Sequence, residues 1–361
     1  MSGKHLAEAR FTDTRAADTM LAAVLYGKEH VQVERIPIPT VGPDDLLVRV
    51  RAALTCGTDI KVFLRGYHAR MIVPPALFGH ELAGDIVAVG ERVKGFDIGQ
   101  RIVAANSAPC LRCFYCRRGR VNLCEDLLFN NGAYAEYIRI PSRIVRLNTY
   151  VIPPHLDYRD AALAEPLACV VKGVEDTEMR PGDTVVVIGV GPIGSMFIRL
   201  AKMRGARVIA VGRRRLKEEK ALSLGADRFV ATEDTQNPVA TVRELTGGHG
   251  ADIVFEAVGK PETWNWSVEM LRRGGTVNFF GGPPMGTKVE LDTNLLHYSE
   301  ITCKASFHHT PATMREALDV IASGGITARD FVDAEEPLQN ISAVLFRLAE
   351  GDRTLKTAII P

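Results

Sequence analysis

The 361-residue chain carries 44 Lys and Arg against 43 Asp and Glu, a net charge of +1, and 46% of it is hydrophobic. That length exceeds what one hydrophobic core comfortably serves, so two domains are expected. The balanced charge gives no footprint for nucleic acid or an anionic membrane, the composition excludes a disordered chain, and no apolar run reaches the ~18 residues of a bilayer span. Residues 1–19 mix Lys4, Glu8, Arg10, Asp13, Arg15 and Asp18 without an apolar core. They read as a flexible extension rather than an export or organelle signal, which places the protein in the cytoplasm.

A first strand is expected at residues 21–25. From there to about residue 152 short β runs, such as 46–50 and 85–89, are broken by Gly and Pro turns. The pattern predicts an irregular β-rich domain over 20–163. Beyond Pro181-Gly182-Asp183 the character changes, and β runs at 185–188, 208–211, 253–255 and 276–280 alternate with helical stretches at 193–204, 216–224 and 263–271. This alternation predicts an α/β domain with a doubly wound parallel sheet over 164–305. Two further helices, 314–323 and 341–350, are expected to return to the first domain, whose second segment is 306–361.

The run Val185-Val186-Val187-Ile188 enters Gly189-Val190-Gly191-Pro192-Ile193-Gly194. A G-x-G-x-x-G string alone is weak, and a glycine-rich turn of an ordinary α/β domain is its plain alternative. Here it follows a buried-type strand and opens a helix with apolar residues at helical spacing, which is the context for binding a dinucleotide pyrophosphate. Gly189, Gly191, Pro192, Ile193 and Gly194 are therefore the candidate cofactor loop. The next strand ends in Gly212-Arg213-Arg214-Arg215, where an NAD-preferring protein would place an acid. Arg213, Arg214 and Lys217 suit a 2′-phosphate, so NADP(H) is favoured over NAD(H). The bland reading is that these cations open a solvated helix.

Of seven cysteines, Cys110, Cys113, Cys116 and Cys124 fall within fifteen residues. Four thiolates in one loop close a tetrahedral zinc shell and leave no open position, so that zinc would be structural. A scattered second set, Cys56, His80, Glu81 and Glu165, supplies a thiolate, an imidazole and two carboxylates. Each is commonplace alone; together they suit a catalytic zinc with room for substrate. Two zincs per chain are thus expected.

With these motifs in this order, from about residue 21 onward, the chain resembles the zinc-containing medium-chain dehydrogenases of the alcohol, polyol and threonine dehydrogenase superfamily. The resemblance implies a GroES-like catalytic domain interrupted by a Rossmann domain, and assembly as a homodimer or homotetramer. It implies that Cys56 and His80 bind the catalytic zinc, with Glu81 a ligand or an exchanging neighbour. Glu165 stands where the simple alcohol dehydrogenases carry a second cysteine and the polyol and threonine branches a glutamate. Thr58 would relay the substrate proton, and Asp59 would orient His80. Cys169 and Cys303 match no ligand position and read as packing.

The chain also departs from the family. Lys61 stands where many relatives carry a relay histidine, and Val62 where sorbitol dehydrogenases present a tyrosine. Phe307-His308-His309-Thr310 stands where those enzymes read Phe-Arg-Tyr. Lys61, Phe129 and His308 are accordingly the positions expected to face substrate. The reaction implied is hydride transfer between the nicotinamide ring and a secondary alcohol or ketone, a polyol, sugar or cyclitol. A threonine-type amino alcohol is the alternative substrate, and a non-catalytic zinc and NADPH-binding protein the alternative from another class. A zinc-free quinone reductase of the same superfamily conflicts with both metal sets.

Overall fold

In the strand Leu46–Leu54, Val48, Val50 and Ala52 are buried while Arg49 and Arg51 face solvent, the period-two pattern of a half-covered sheet. It pairs antiparallel with Glu81–Val89, Leu54 opposite Glu81, and with Lys356–Ile360, Leu54 opposite Ala358. The sheet runs in spatial order Thr149–Val151, Arg101–Ala104, Glu81–Val89, Leu46–Leu54, Lys356–Ile360 and Val332–Pro337, with Tyr137–Ile140 also paired to Leu46–Leu54. The hairpin Thr19–Gly27 with His30–Pro37 forms a smaller sheet with Ala76–Leu77. The computed structural model describes residues 18–68, 70–352 and 354–361. All but Asp18 and Thr19 of the expected extension lies outside the described residues, and Thr19 already belongs to the first strand.

The chain divides into two compact units, one holding the segments up to residue 106, 129–151 and 334–361, the other 107–128 and 152–333. The second unit thus takes in the cysteine-rich loop and runs on past residue 305. The helix Pro311–Ala322 explains the later boundary. It buries Met314, Ala317, Leu318 and Ile321 along one face and packs on the helix Ala164–Glu175 of the same unit, rather than returning to the β-rich one. The helix Ile341–Ala349 does belong to the first unit, where Phe346 meets Phe63 edge to face at 4.9 Å.

The second unit is built on a parallel sheet in spatial order Arg228–Ala231, Arg207–Gly212, Thr184–Ile188, Ala251–Glu256, Leu271–Phe279 and Thr302–Ala305. Numbered by appearance, that order is 3-2-1-4-5-6, the doubly wound arrangement that opens a crevice between the first and fourth strands. Val185, Val186, Val187 and Ile188 are all buried, as a central parallel strand covered on both faces requires. The helix Pro192–Met203 begins with proline at its first position, where no amide partner is lost. It packs Phe197 flat on Phe255 with ring centroids 4.2 Å apart. The strands Arg228–Ala231 and Thr302–Ala305 escaped the sequence reading because they are short sheet edges; the latter shows solvent nearly every side chain. Among the described residues no helix is long and apolar enough to cross a membrane.

Candidate active site

In the first unit, three strand ends converge. Cys56 follows Leu46–Leu54, His80 precedes Glu81–Val89, and Lys356 opens Lys356–Ile360. Cys56 keeps extended backbone and caps the helix Gly57–Arg65: its Sγ accepts the Thr58 N–H at 3.4 Å. The third helical residue, Asp59, reaches back and accepts the Cys56 N–H at 3.1 Å, so the local cap also aims the carboxylate. Asp59 is 1% exposed. Its Oδ2 additionally accepts the Tyr134 hydroxyl at 2.5 Å, and its Oδ1 lies 3.0 Å from His80 Nδ1. With Nδ1 turned to a carboxylate, Nε2 is the ring nitrogen left for a metal.

Burial disfavours a charged imidazole, but the Asp59 and Cys56 charges outweigh it and hold His80 well above its ordinary range. The same negative surroundings suit a metal cation in the proton's place. Ligand atoms of Cys56, His80 and Glu81 all lie within 4.8 Å of one another. A thiolate, an imidazole and a carboxylate form a donor set suited to zinc and fewer than the four protein ligands of a closed site. Both Glu81 oxygens accept from Lys356 Nζ, at 2.8 and 2.6 Å, and Lys356 donates also to Thr55 O at 2.9 Å. Burial raises the Glu81 carboxyl, and Lys356 opposes that rise. Thr58 is half-buried beside Cys56, Lys61 lies on the exposed side of the same helix, and Phe129 is half-buried.

In the second unit, Glu165 is buried on the helix Ala164–Glu175. Its Oε1 lies 3.6 Å from Nε2 of His309, itself 2% exposed. The His308 and His309 rings are 4.0 Å apart, and His308 Nε2 lies 2.5 Å from Ser107 Oγ. Cys169 is half-buried on the Glu165 helix, whereas Cys303 is exposed on the edge strand, so packing does not describe it.

The four cysteines of the loop converge as their spacing implies. All four sulfurs lie within 4.8 Å of one another and none is in a disulfide. A tetrahedron with Zn–S bonds of ~2.3 Å has S···S edges of about 3.8 Å; Cys113 and Cys124 are 3.9 Å apart. Amides point inward as well: the Cys110 N–H donates to Cys124 Sγ at 3.2 Å, and the Cys113 N–H to Cys110 Sγ at 3.3 Å. The loop's own backbone bonds push the Cys113 thiol down to about 6, while burial pushes Cys116 up to about 12. The geometry fits a closed metal shell.

The glycine loop assigns a reason to each glycine. Gly189 has a φ of +101°, which an L side chain rarely adopts. A Cβ on Gly194 would sit 1.7 Å from Gly189 O, whereas one on Gly191 would meet nothing within 4 Å. Gly191 therefore has no steric need inside the protein; the space it leaves suits a pyrophosphate against the helix N-terminus. Beyond the second strand, Arg215 is engaged by Asp234 and Glu218, and Glu233 accepts the Arg215 N–H at 2.7 Å. Arg213 and Arg214 are exposed and have no side-chain partner among the described residues; Lys217 is half-buried beside them.

Comparison with known proteins agrees with this geometry. Residues 42–149 match the alcohol dehydrogenase GroES-like domain, and residues 192–323 match the zinc-binding dehydrogenase domain. An L-threonine 3-dehydrogenase of Symbiobacterium thermophilum is 36% identical, over 91% of this chain and 94% of its own. The chain belongs to the zinc-containing medium-chain dehydrogenases. A sorbitol dehydrogenase of Bacillus subtilis is 29% identical over 95% of this chain and 97% of its own. A Sinorhizobium meliloti zinc-binding dehydrogenase solved with NADP superposes with a TM-score of 0.87 at 32% identity, covering 95% of this chain and 99% of that one. This dehydrogenase is thus a zinc-dependent oxidoreductase of the alcohol dehydrogenase class that uses NAD(P), with the GroES-like and Rossmann architecture the motifs imply.

Tyr134, Lys356 and His309 were not anticipated. Tyr134 and Lys356 lie 75 and 275 positions from the carboxylates they hold, and no local spacing announces such pairs. His309 stands next to a residue already singled out, and a buried glutamate's need for a partner was the only signal.

Three substitutions in the dehydrogenase test these steric and charge contacts. Gly194→Ala forces backbone to move and should cost about 1–3 kcal/mol in urea denaturation. Gly191→Ala should leave stability unchanged yet weaken dinucleotide binding about tenfold or more, ~1.4 kcal/mol, read by fluorescence titration. Lys356→Met strands the Glu81 carboxylate and should cost about 3–5 kcal/mol; adding Glu81→Gln should restore most of that in the same denaturation assay.

Proposed function

We propose that this dehydrogenase interconverts a secondary alcohol and its ketone with NADP(H), acting on a polyol, sugar or cyclitol, and that it holds two zincs per chain. The observation that carries the reading is the half-buried Cys56 beside the buried His80, backed by Asp59, in a donor set short of four ligands. Cys56 and His80 are the proposed zinc ligands, with Glu81 a ligand or an exchanging neighbour and Glu165 the carboxylate that the family resemblance adds. Zinc bound there would supply Lewis acidity toward the substrate oxygen. Asp59 keeps His80 in one orientation and one tautomer, so the metal-facing nitrogen needs no rearrangement before reaction. Thr58, beside Cys56, relays the substrate proton: its hydroxyl takes that proton as it passes its own onward to solvent. The four-cysteine set holds the second zinc, in a structural role.

The cofactor preference rests on Arg213 and Arg214. Arg215 and Glu233 are engaged elsewhere, so these two guanidinium groups are the ones available to a 2′-phosphate. The relative solved with NADP supports this reading. The second substrate reading, an amino alcohol, is favoured by the 36% identity to a threonine 3-dehydrogenase. A panel of sorbitol, xylitol, myo-inositol and L-threonine, each with NAD and NADP, decides between them; turnover of L-threonine alone would overturn the polyol reading.

Cys56→Ser and His80→Ala should each abolish turnover and lower bound zinc from two per chain to one by elemental analysis, with dinucleotide affinity within about twofold of the parent. Full activity of a zinc-free preparation would overturn this assignment. Arg213→Asp should lower the NADP/NAD ratio of kcat/KM about tenfold or more; a parent enzyme that already prefers NAD would contradict the arginine reading.

A further inference from the structure

The turn 306–310 leads from the last strand of the parallel sheet into the helix Pro311–Ala322, and each of its five residues is held. Ser306 Oγ donates to Asp176 Oδ2 at 2.6 Å and accepts from Asn278 Nδ2 at 2.8 Å. At the other end Thr310 caps the helix, its Oγ1 accepting the Thr313 N–H at 3.1 Å. The sheet and helices of the unit therefore anchor both ends. Between them, His309 faces Glu165, and ligand atoms of Glu165, His308 and His309 lie within 4.8 Å of one another; Phe307 and His308 also reach the segment 107–128. Phe307 O accepts from Asn122 Nδ2 at 3.0 Å, and His308 Nε2 lies 2.5 Å from Ser107 Oγ.

Asn122 and Ser107 both come from the segment 107–128 that carries the four cysteines, and both are buried, at 6% and 1% exposure. Asn122 sits in the short turn Val121–Leu123, which runs directly into Cys124. Cys124 lies within 4.8 Å of the other three sulfurs, so a cation held by the four would also fix the turn that carries the asparagine. His308 adopts a φ of +63°, a left-handed conformation uncommon for a residue with a side chain. Such a conformation persists where surrounding contacts impose it, and here two of those contacts, Asn122 on Phe307 O and Ser107 on His308, come from the cysteine segment.

We infer that the four-cysteine lobe positions the substrate-recognition turn. Through Asn122 and Ser107 it sets where His308 stands, so the metal in the lobe governs substrate affinity as well as stability. The inference rests on the proposed reading in which the lobe holds zinc and His308 meets the substrate. Asn122 and Ser107 are positioning residues, since neither is assigned a contact with the reacting atoms.

The test uses the zinc-loaded enzyme and three variants. Asn122→Asp keeps shape but removes the donor, Ser107→Ala removes the hydroxyl, and Ser107→Thr restores it. Kinetics use sorbitol, xylitol or L-threonine, whichever turns over fastest. Asn122→Asp and Ser107→Ala should raise KM about three- to tenfold, with kcat and NADP(H) affinity close to the parent, zinc still two per chain, and Ser107→Thr near normal. Hydrogen–deuterium exchange should be faster in the peptide covering 306–310 in both impaired variants. Unchanged KM and exchange in both would overturn the inference. His308→Ala separates the two levels: if it raises KM while Asn122→Asp and Ser107→Ala do not, the positioning role fails. If His308→Ala leaves KM unchanged, the underlying substrate reading fails and takes the inference with it.

Discussion

The carboxylate of Asp59 lies where water cannot reach it, and everything near the first metal set depends on how its charge is met. It has three partners: the Cys56 amide, the Tyr134 hydroxyl and the His80 ring. Each partner is fixed by this arrangement as much as Asp59 is. Cys56 is held as a helix cap, His80 is oriented with Nε2 outward, and Tyr134 is locked against Gly79, where any side chain would strike its ring at 2.6 Å. A buried charge with one missing partner is expensive, so the network is all or nothing. That cost converts three separate side chains into one preorganised unit.

The second unit solves a related problem with backbone rather than side chains. Glu256, at the end of the strand Ala251–Glu256, is fully buried and accepts the Val258 and Gly259 N–H groups at 2.9 Å and the Thr263 hydroxyl at 2.7 Å. Burial still raises its carboxyl. The turn it organises packs against the glycine loop, since a Cβ on Gly189 would meet Val258 at 2.8 Å. The carboxylate therefore shapes the wall of the crevice at which the loop opens, a structural task for an acid that carries no motif.

How much of this the sequence discloses depends on distance along the chain. The glycine loop and the four cysteines are legible because their partners lie within one turn or loop, where spacing alone brings them together. The parallel sheet is legible where its strands are buried on both faces, as at Thr184–Ile188, and illegible at the edge strand Thr302–Ala305, whose exposed side chains show no pattern. Cys56 and Asp59 are joined by one helix cap, but only family resemblance joins them to His80, which lies far along the chain. Tyr134 and Lys356 were accessible by neither route. A helix pattern also cannot say which unit receives it, and this is why Pro311–Ala322 was expected on the β-rich unit and lies on Ala164–Glu175.

The pairing of Glu81 with Lys356 has a consequence for how the chain is made. The two residues are 275 positions apart, and Lys356 lies in a strand that completes the sheet beside Leu46–Leu54. During synthesis Glu81 leaves the ribosome long before its counter-charge exists, and the whole parallel-sheet unit is translated in the interval. That unit has its own core and can condense as it emerges, whereas the β-rich unit must wait, part-formed, for its closing strand. The order of synthesis is thus written into the threading of the chain: every residue of the parallel-sheet unit is made before the buried lysine that meets Glu81.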